Sequence, residues 1–177
     1  SYTFSRSYGL LASSGLGADA GQLSTVAPNN TFGRDPNSLT NAEGRLQNDR
    51  PHIFRVMGSV DVPHTGVLVA ANFQQFSGKP WAATDQVSLP QGDQRILLEP
   101  RGTRRLSSQS LLDVRVSRIF GSSQGRVELL VDVLNVLNDT AEEAIATDSL
   151  FNANFGRPTL FMDPRRAMIS VRLNLGR

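Results

Sequence analysis

Alternation of apolar and polar positions divides this chain into six regular segments. In 111–135, Leu112, Val114 and Val116 alternate with Asp113, Arg115 and Ser117. After a break at Gly121–Gln124, Val127, Leu129, Val131 and Val133 alternate with Glu128 and Asp132. A period of two on both sides of a short turn predicts a β-hairpin with one apolar and one polar face. A four-residue turn sets Phe120 against Gly125, Val116 against Leu129, Val114 against Val131 and Leu112 against Val133. It also sets Ser117 against Glu128 and Asp113 against Asp132. Arg115, diagonal to Glu128 and Asp132, offsets the repulsion of the two facing carboxylates. A one-residue slip would place Arg115 against Val131, on the wrong face.

The same reading predicts a strand over Tyr2–Leu11 and another over His52–Val62, where Phe54, Val56, Gly58, Val60 and Val62 share a face. Pro63-His64-Thr65-Gly66 is a turn signal. Val67–Phe76 then returns, with Val62 against Val67, Val60 against Val69 and Val56 against Phe73. The last strand is Arg166–Leu175, with Ala167, Ile169, Val171, Leu173 and Leu175 on one side. Between these segments lie three polar stretches without sustained periodicity: Ala12–Asn48, Ser77–Ser108 and Asn138–Pro164. Within the third, Thr140–Ala146 reads as one or two helical turns. Short and long connections therefore alternate strictly. In an up-and-down sheet this puts every short turn at one rim and every long loop at the other, the asymmetry of outer-membrane barrels.

The predicted fold class is accordingly all-β: an antiparallel up-and-down transmembrane β-barrel segment of about six strands. Strands of about ten residues are long enough to cross a bilayer at a tilt, which takes roughly 9–11. In lipid, only closed barrels and helices satisfy every backbone group. Arg118 is the one charge on the apolar face of the 111–135 hairpin, two residues from the turn, where its stem can snorkel to the headgroups. Arg6 fits less well, because it shares a face with Phe4 and Tyr8.

Composition narrows the picture. The 177 residues carry 18 basic and 16 acidic side chains, a balance too even to argue for nucleic acid as a partner. There is no cysteine, so neither a disulfide framework nor a thiolate metal site is possible. Mean hydropathy is −0.23, compatible with a water-soluble β protein and with a membrane barrel alike. The opening SYTFSRSYGLL lacks the basic region and apolar core of a signal peptide and reads as strand from the outset, as expected of a piece of a longer protein.

Six blocks in succession carry a resemblance. They are SYTFSRSYG (1–9), NDRPHIFRVMGSVDVP (48–63), FQQFSGKPW (73–81), LLDVRVSRIFG (111–121), VELLVDVLNVLND (127–139) and DPRRAMISVRLNL (163–175). Their order and spacing resemble the C-terminal strands of TonB-dependent receptors, in particular the Oar-like type with a carboxypeptidase-regulatory-like N-terminal domain. The resemblance implies that 1–177 is the C-terminal portion of a 22-stranded outer-membrane barrel domain in a Gram-negative bacterium. It implies transport or ligand uptake, with no plug domain or TonB box in this stretch. The implied partners are outer-membrane lipid, the rest of the barrel and its plug, and a periplasmic TonB-type energy-coupling protein reached through other segments. Two alternatives are a soluble β-sandwich or lipocalin-like ligand-binding module, and a small complete outer-membrane barrel.

No catalytic constellation, cofactor motif or metal site emerges, and the expectation is a non-enzyme. His52 and His64 fall at opposite ends of one strand, roughly 35–40 Å apart, and cannot share a metal. Asp113, Arg115, Glu128 and Asp132 form a lumen-facing charge ladder that follows from alternation alone. Glu142, Glu143 and Asp148 read as a solvated acidic loop. Residues 15–21 miss the GxGxxG spacing by one position and open no βαβ unit.

Overall fold

The computed structural model describes residues 1–10, 39–46, 48–90, 92–122 and 125–175. The first strands are β1 (Tyr2–Phe4), β2 (Tyr8–Leu10), β3 (Glu43–Arg45), β4 (His52–Val62) and β5 (Val67–Phe76). They are followed by β6 (Pro80–Trp81), β7 (Thr84–Leu89), β8 (Gly92–Leu97), β9 (Arg104–Arg105) and β10 (Gln109–Ser122). The chain continues through β11 (Gly125–Leu134), β12 (Glu142–Ile145), β13 (Pro158–Phe161) and β14 (Arg166–Leu175). The described residues contain no α-helix.

One six-stranded antiparallel sheet dominates, in the order β1-β4-β5-β10-β11-β14. It is open rather than closed into a barrel. Sheet neighbours follow one another along the chain, so the sheet is a meander whose long connections all leave from one rim. The 63–66 turn joins β4 to β5 with the register read from alternation: Val62 faces Val67, Val60 faces Val69 and Val56 faces Phe73. Gly66, at φ 65°, and His64, also at φ 65°, supply the left-handed backbone of this turn.

The β10–β11 hairpin differs from the expected register by two residues. Ser122 faces Gly125, leaving only two residues between the strands, and Val116 faces Val131, not Leu129. Alternation fixes register only modulo two, because a two-residue shift keeps every side chain on its face. Charge separates the two choices. The expected register opposes Asp113 to Asp132; the observed one opposes Arg115 to Asp132.

Two rows run across the sheet without a polar side chain. Val60, Val69, Val116, Val131 and Ile169 form one row, and Gly58, Ala71, Val114, Val133 and Ala167 the next. This face is not a core. Val60 is 60% exposed, Ile169 75% and Leu173 65%. Arg118 stands in the row with Val67 and Leu129, and its guanidinium lies 4.8 Å from the Phe120 ring centroid, two residues nearer the turn.

Among the described residues the long connections carry regular structure, contrary to expectation. They carry β2–β3, β6–β9, β7–β8 and β12–β13 as four two-stranded sheets. The Thr140–Ala146 stretch, expected as helical turns, contains strand β12, paired with β13 through two register irregularities. The Tyr2–Leu11 strand is broken at Ser5–Ser7: β1 pairs with β4 while β2 leaves the main sheet for β3. The break is held by Ser7, whose N–H donates to Asp49 at 2.8 Å and whose carbonyl accepts from Leu46 at 3.0 Å. Arg6 turns its guanidinium over Tyr8, 5.5 Å from the centroid.

Most of the buried apolar side chains belong to this rim layer. Ala42, Ala82 and Leu97 cluster there, and Trp81, Ala83, Ala141, Ala144, Ile145 and Met162 are buried with them. Backbone bonds link one connection to another. Arg45 N–H donates to Arg101 at 3.1 Å, Thr84 to Asp148 at 2.8 Å and Leu150 to Thr84 at 2.9 Å. At Gly78 an added Cβ would run into the carbonyl of Leu106, so this close approach between the two ends of the 77–108 connection requires glycine.

Candidate functional site

Opposite the apolar face lies a polar face with a groove of about 470 Å³. Met57, Ser59, Asn72, Arg115, Asp132 and Met168 are among the residues that line it. These positions come from five adjacent strands, because inward-facing residues on neighbouring strands fall in register: Ser59 faces Ala70, Ala70 faces Arg115, Arg115 faces Asp132 and Asp132 faces Met168. A second groove of about 360 Å³ shares Asp113 and Leu134 with the first and continues to Leu160, Phe161 and Met162 in the rim layer.

The expected charge ladder resolves into three separate arrangements. Arg115 and Asp132 form a two-pronged ion pair, Nε to Oδ1 at 2.5 Å and Nη2 to Oδ2 at 3.0 Å. This parallel geometry matches the guanidinium fork to the carboxylate. Glu128 takes no part in it. Glu128 faces Ile119 on β10 and Arg172 on β14, and accepts from Arg172 Nη1 at 2.8 Å. Asp113 makes no ion pair among the described residues and accepts the Asn135 backbone N–H at 2.9 Å. So alternation placed all four residues on one face, and register brings only Arg115 and Asp132 together.

Asn135, which sequence reasoning passed over, closes the corner where β11 leaves the sheet. Its backbone is left-handed, at φ 50°. Its amide Nδ2 donates to the carbonyls of Asp139 at 3.0 Å and Asp163 at 2.8 Å, and Oδ1 accepts the Asp139 N–H at 3.0 Å. Asparagine tolerates left-handed backbone and bonds its own neighbourhood, which suits this role.

The rim layer holds carboxylates withdrawn from water: Asp49 and Glu99, which patterning did not single out, and Asp148, expected in a solvated acidic loop but buried here. Asp49 is fully buried and binds Arg45 at 3.2 Å, Arg105 and the Ser7 N–H. Burial pushes its pKa up, but the Ser7 N–H and the two guanidiniums outweigh this and hold it below the usual value. Glu99 behaves likewise: burial opposes ionisation, while Arg104 at 2.7 Å and the Ala83 N–H at 2.7 Å bring the pKa down. Asp148 is buried with Thr84 and paired with Arg95. Arg104 also lies over Trp81 and Phe155, 5.3 Å and 5.2 Å from the two centroids.

The Glu142, Glu143 and Asp148 carboxylates do not converge. Glu142 accepts the Ser107 N–H at 3.1 Å, Glu143 accepts from Gln109 at 3.4 Å, and Asp148 is engaged by Arg95. Among the described residues no group of three or more His, Asp or Glu side chains is placed to hold a metal ion. His52 begins β4, and His64 lies in the turn beyond its other end. Residues 15–21 lie outside the described residues.

Comparisons with protein-family models, with curated proteins and with solved structures return no match for this chain.

Proposed function

We propose that the six-stranded sheet is part of the wall of an outer-membrane β-barrel of the TonB-dependent, Oar-like receptor type, and that the protein serves ligand uptake or transport without catalysis. The observation that carries this reading is the exposed apolar face. It spans five strands of 10–14 residues each and, among the described residues, meets no second layer. Strands of that length cross the bilayer core at a tilt. A face of valine, isoleucine, leucine and phenylalanine this large is unstable against water and is satisfied by lipid. The polar face, with its Arg115–Asp132 and Glu128–Arg172 pairs, then lines the lumen. The twenty-two strands come from the sequence resemblance, as do the plug and the TonB-type partner. Further strands would pair with the two open edges. A soluble sandwich would instead need a second layer over Val56, Val60, Ile169 and Val171, which are exposed here.

The test is the mass and location of the native product, detected with an antibody against residues 126–139. A product several-fold heavier than 19.3 kDa in the outer-membrane fraction is expected. A product of 19.3 kDa in the soluble fraction would overturn the transporter reading and favour a soluble binding module.

A further inference from the structure

The apolar face carries a polar depression at the rim where the long connections begin. Its volume is about 540 Å³, and Tyr2, His52, Phe54, Gln75, Ser77 and Ser108 line it together with Phe76. By strand parity Tyr2, His52, Phe54 and Gln75 belong to the same side of the sheet as Val56, Val69 and Val114, and Phe76 to the other. Tyr2 faces Phe54, and Phe54 faces Gln75. The site thus lies outside the groove lined by Arg115 and Asp132.

Its polar groups are held in place. The Tyr2 hydroxyl and His52 Nδ1 share a hydrogen bond of 2.7 Å. When Tyr2 donates, the His52 ring carries its hydrogen on Nε2, leaving a donor for a ligand. Ser77 Oγ accepts the His52 N–H at 3.1 Å. The Phe4 ring lies 5.4 Å from that of His52, and the Tyr2 ring 6.2 Å in a stacked orientation. Tyrosine at such a boundary has one end in each medium.

The lining selects a chemistry. Among the described residues it includes no carboxylate, arginine or lysine, so it offers no full positive charge as a phosphate clamp. It offers aromatic surface beside an amide, hydroxyls and an imidazole. That combination packs against the C–H faces of a sugar ring and bonds its hydroxyl groups.

We propose that this depression is an interfacial lipid site that takes the uncharged sugar headgroup of a glycolipid, whose acyl chains lie along the adjoining valine rows. The inference rests on the membrane reading of the apolar face.

The test uses the protein in nanodiscs made of phosphatidylglycerol with a minor fraction of glucosyl diacylglycerol of matched chains. Lipid retained by the purified protein is measured by native mass spectrometry. Selective retention of the glycolipid is expected, with a fall of about tenfold in relative affinity, roughly 1.4 kcal/mol, in Gln75→Leu. Ser108→Ala, a milder change, is expected to give a smaller fall. Phe120→Leu, at the opposite rim, is expected to leave retention unchanged. Insertion without glycolipid preference would overturn the site while leaving the membrane reading intact. Full competition by free methyl glucoside would overturn the lipid assignment in favour of a soluble sugar. Failure to enter the bilayer would overturn the membrane reading, and this site with it.

Discussion

The main sheet and the rim layer are built by opposite rules. The sheet has long regular strands, continuous apolar rows and little buried apolar surface; its large side chains on one face are exposed. The rim layer has strands of two to six residues, and buries alanines, Trp81 and Ile145 around paired charges. The sheet takes its order from the backbone ladder, which is complete without a core behind it. The rim layer takes its order from packing and ion pairs, because its short strands make too few ladder bonds. The contrast teaches that one chain follows two building plans: a sheet whose apolar face stays exposed, as the proposed membrane reading requires, and a layer that supplies its own interior.

Asp49→Ala breaks the contrast most severely. It strands Arg45, Arg105 and the Ser7 N–H around an emptied buried position, with an expected loss of about 3–5 kcal/mol. Hydrogen exchange should localise the damage to β2, β3, β6 and β9, with β10 and β11 protected as before. Next in size, Val69→Arg puts a charge in the middle of the apolar face. The expected cost in a bilayer is roughly 2–4 kcal/mol. Ser59→Arg, on the polar face of the neighbouring strand, is expected to cost less than about 1 kcal/mol. Equal costs in denaturant titrations from lipid vesicles would erase the distinction between faces.

Acid acts on the rim in the same direction as Asp49→Ala, but less severely, since a protonated Asp49 still accepts the Ser7 N–H. The folded pKa values of Asp49 and Glu99 lie below their ordinary values of 3.8 and 4.5. Their contribution is therefore present above those values and is lost as pH falls through the lower, folded ones. Rim protection should decline below about pH 4; a decline centred near neutrality would contradict this assignment. The smallest effect belongs to the Arg115–Asp132 pair. A double-mutant cycle to alanine is expected to give the weakest coupling of these changes, because Arg115 is half exposed.

What could be read in advance divides along the same line. The five long strands and the Pro63–Gly66 turn were legible because alternation over ten residues leaves few other structures. The β10–β11 register was legible only to within two residues. The break at Ser5–Ser7 was hidden, since its cause, Asp49, lies more than forty positions away. Trp81 and Arg104 pair across a shorter gap but with only two residues per strand, too short for periodicity to register. Glu142–Ile145 has helix-forming composition, overridden by pairing with 158–161 and by Ser107. On the polar face, Arg115 and Asp132 were visible from pattern. Arg172, the partner of Glu128, belongs to a strand whose register depends on the intervening hairpin.

The bonds that tie the long connections to one another also bear on how this protein can change by descent. Arg101 receives Arg45, and Thr84 donates to Asp148 and receives Leu150. A recombination event that exchanged one connection alone would leave the others with unmatched surfaces. Heritable novelty should therefore enter either by replacement of the connections together or by substitution at outlying tips such as Phe151, 77% exposed, where a new side chain disturbs no neighbour's fit.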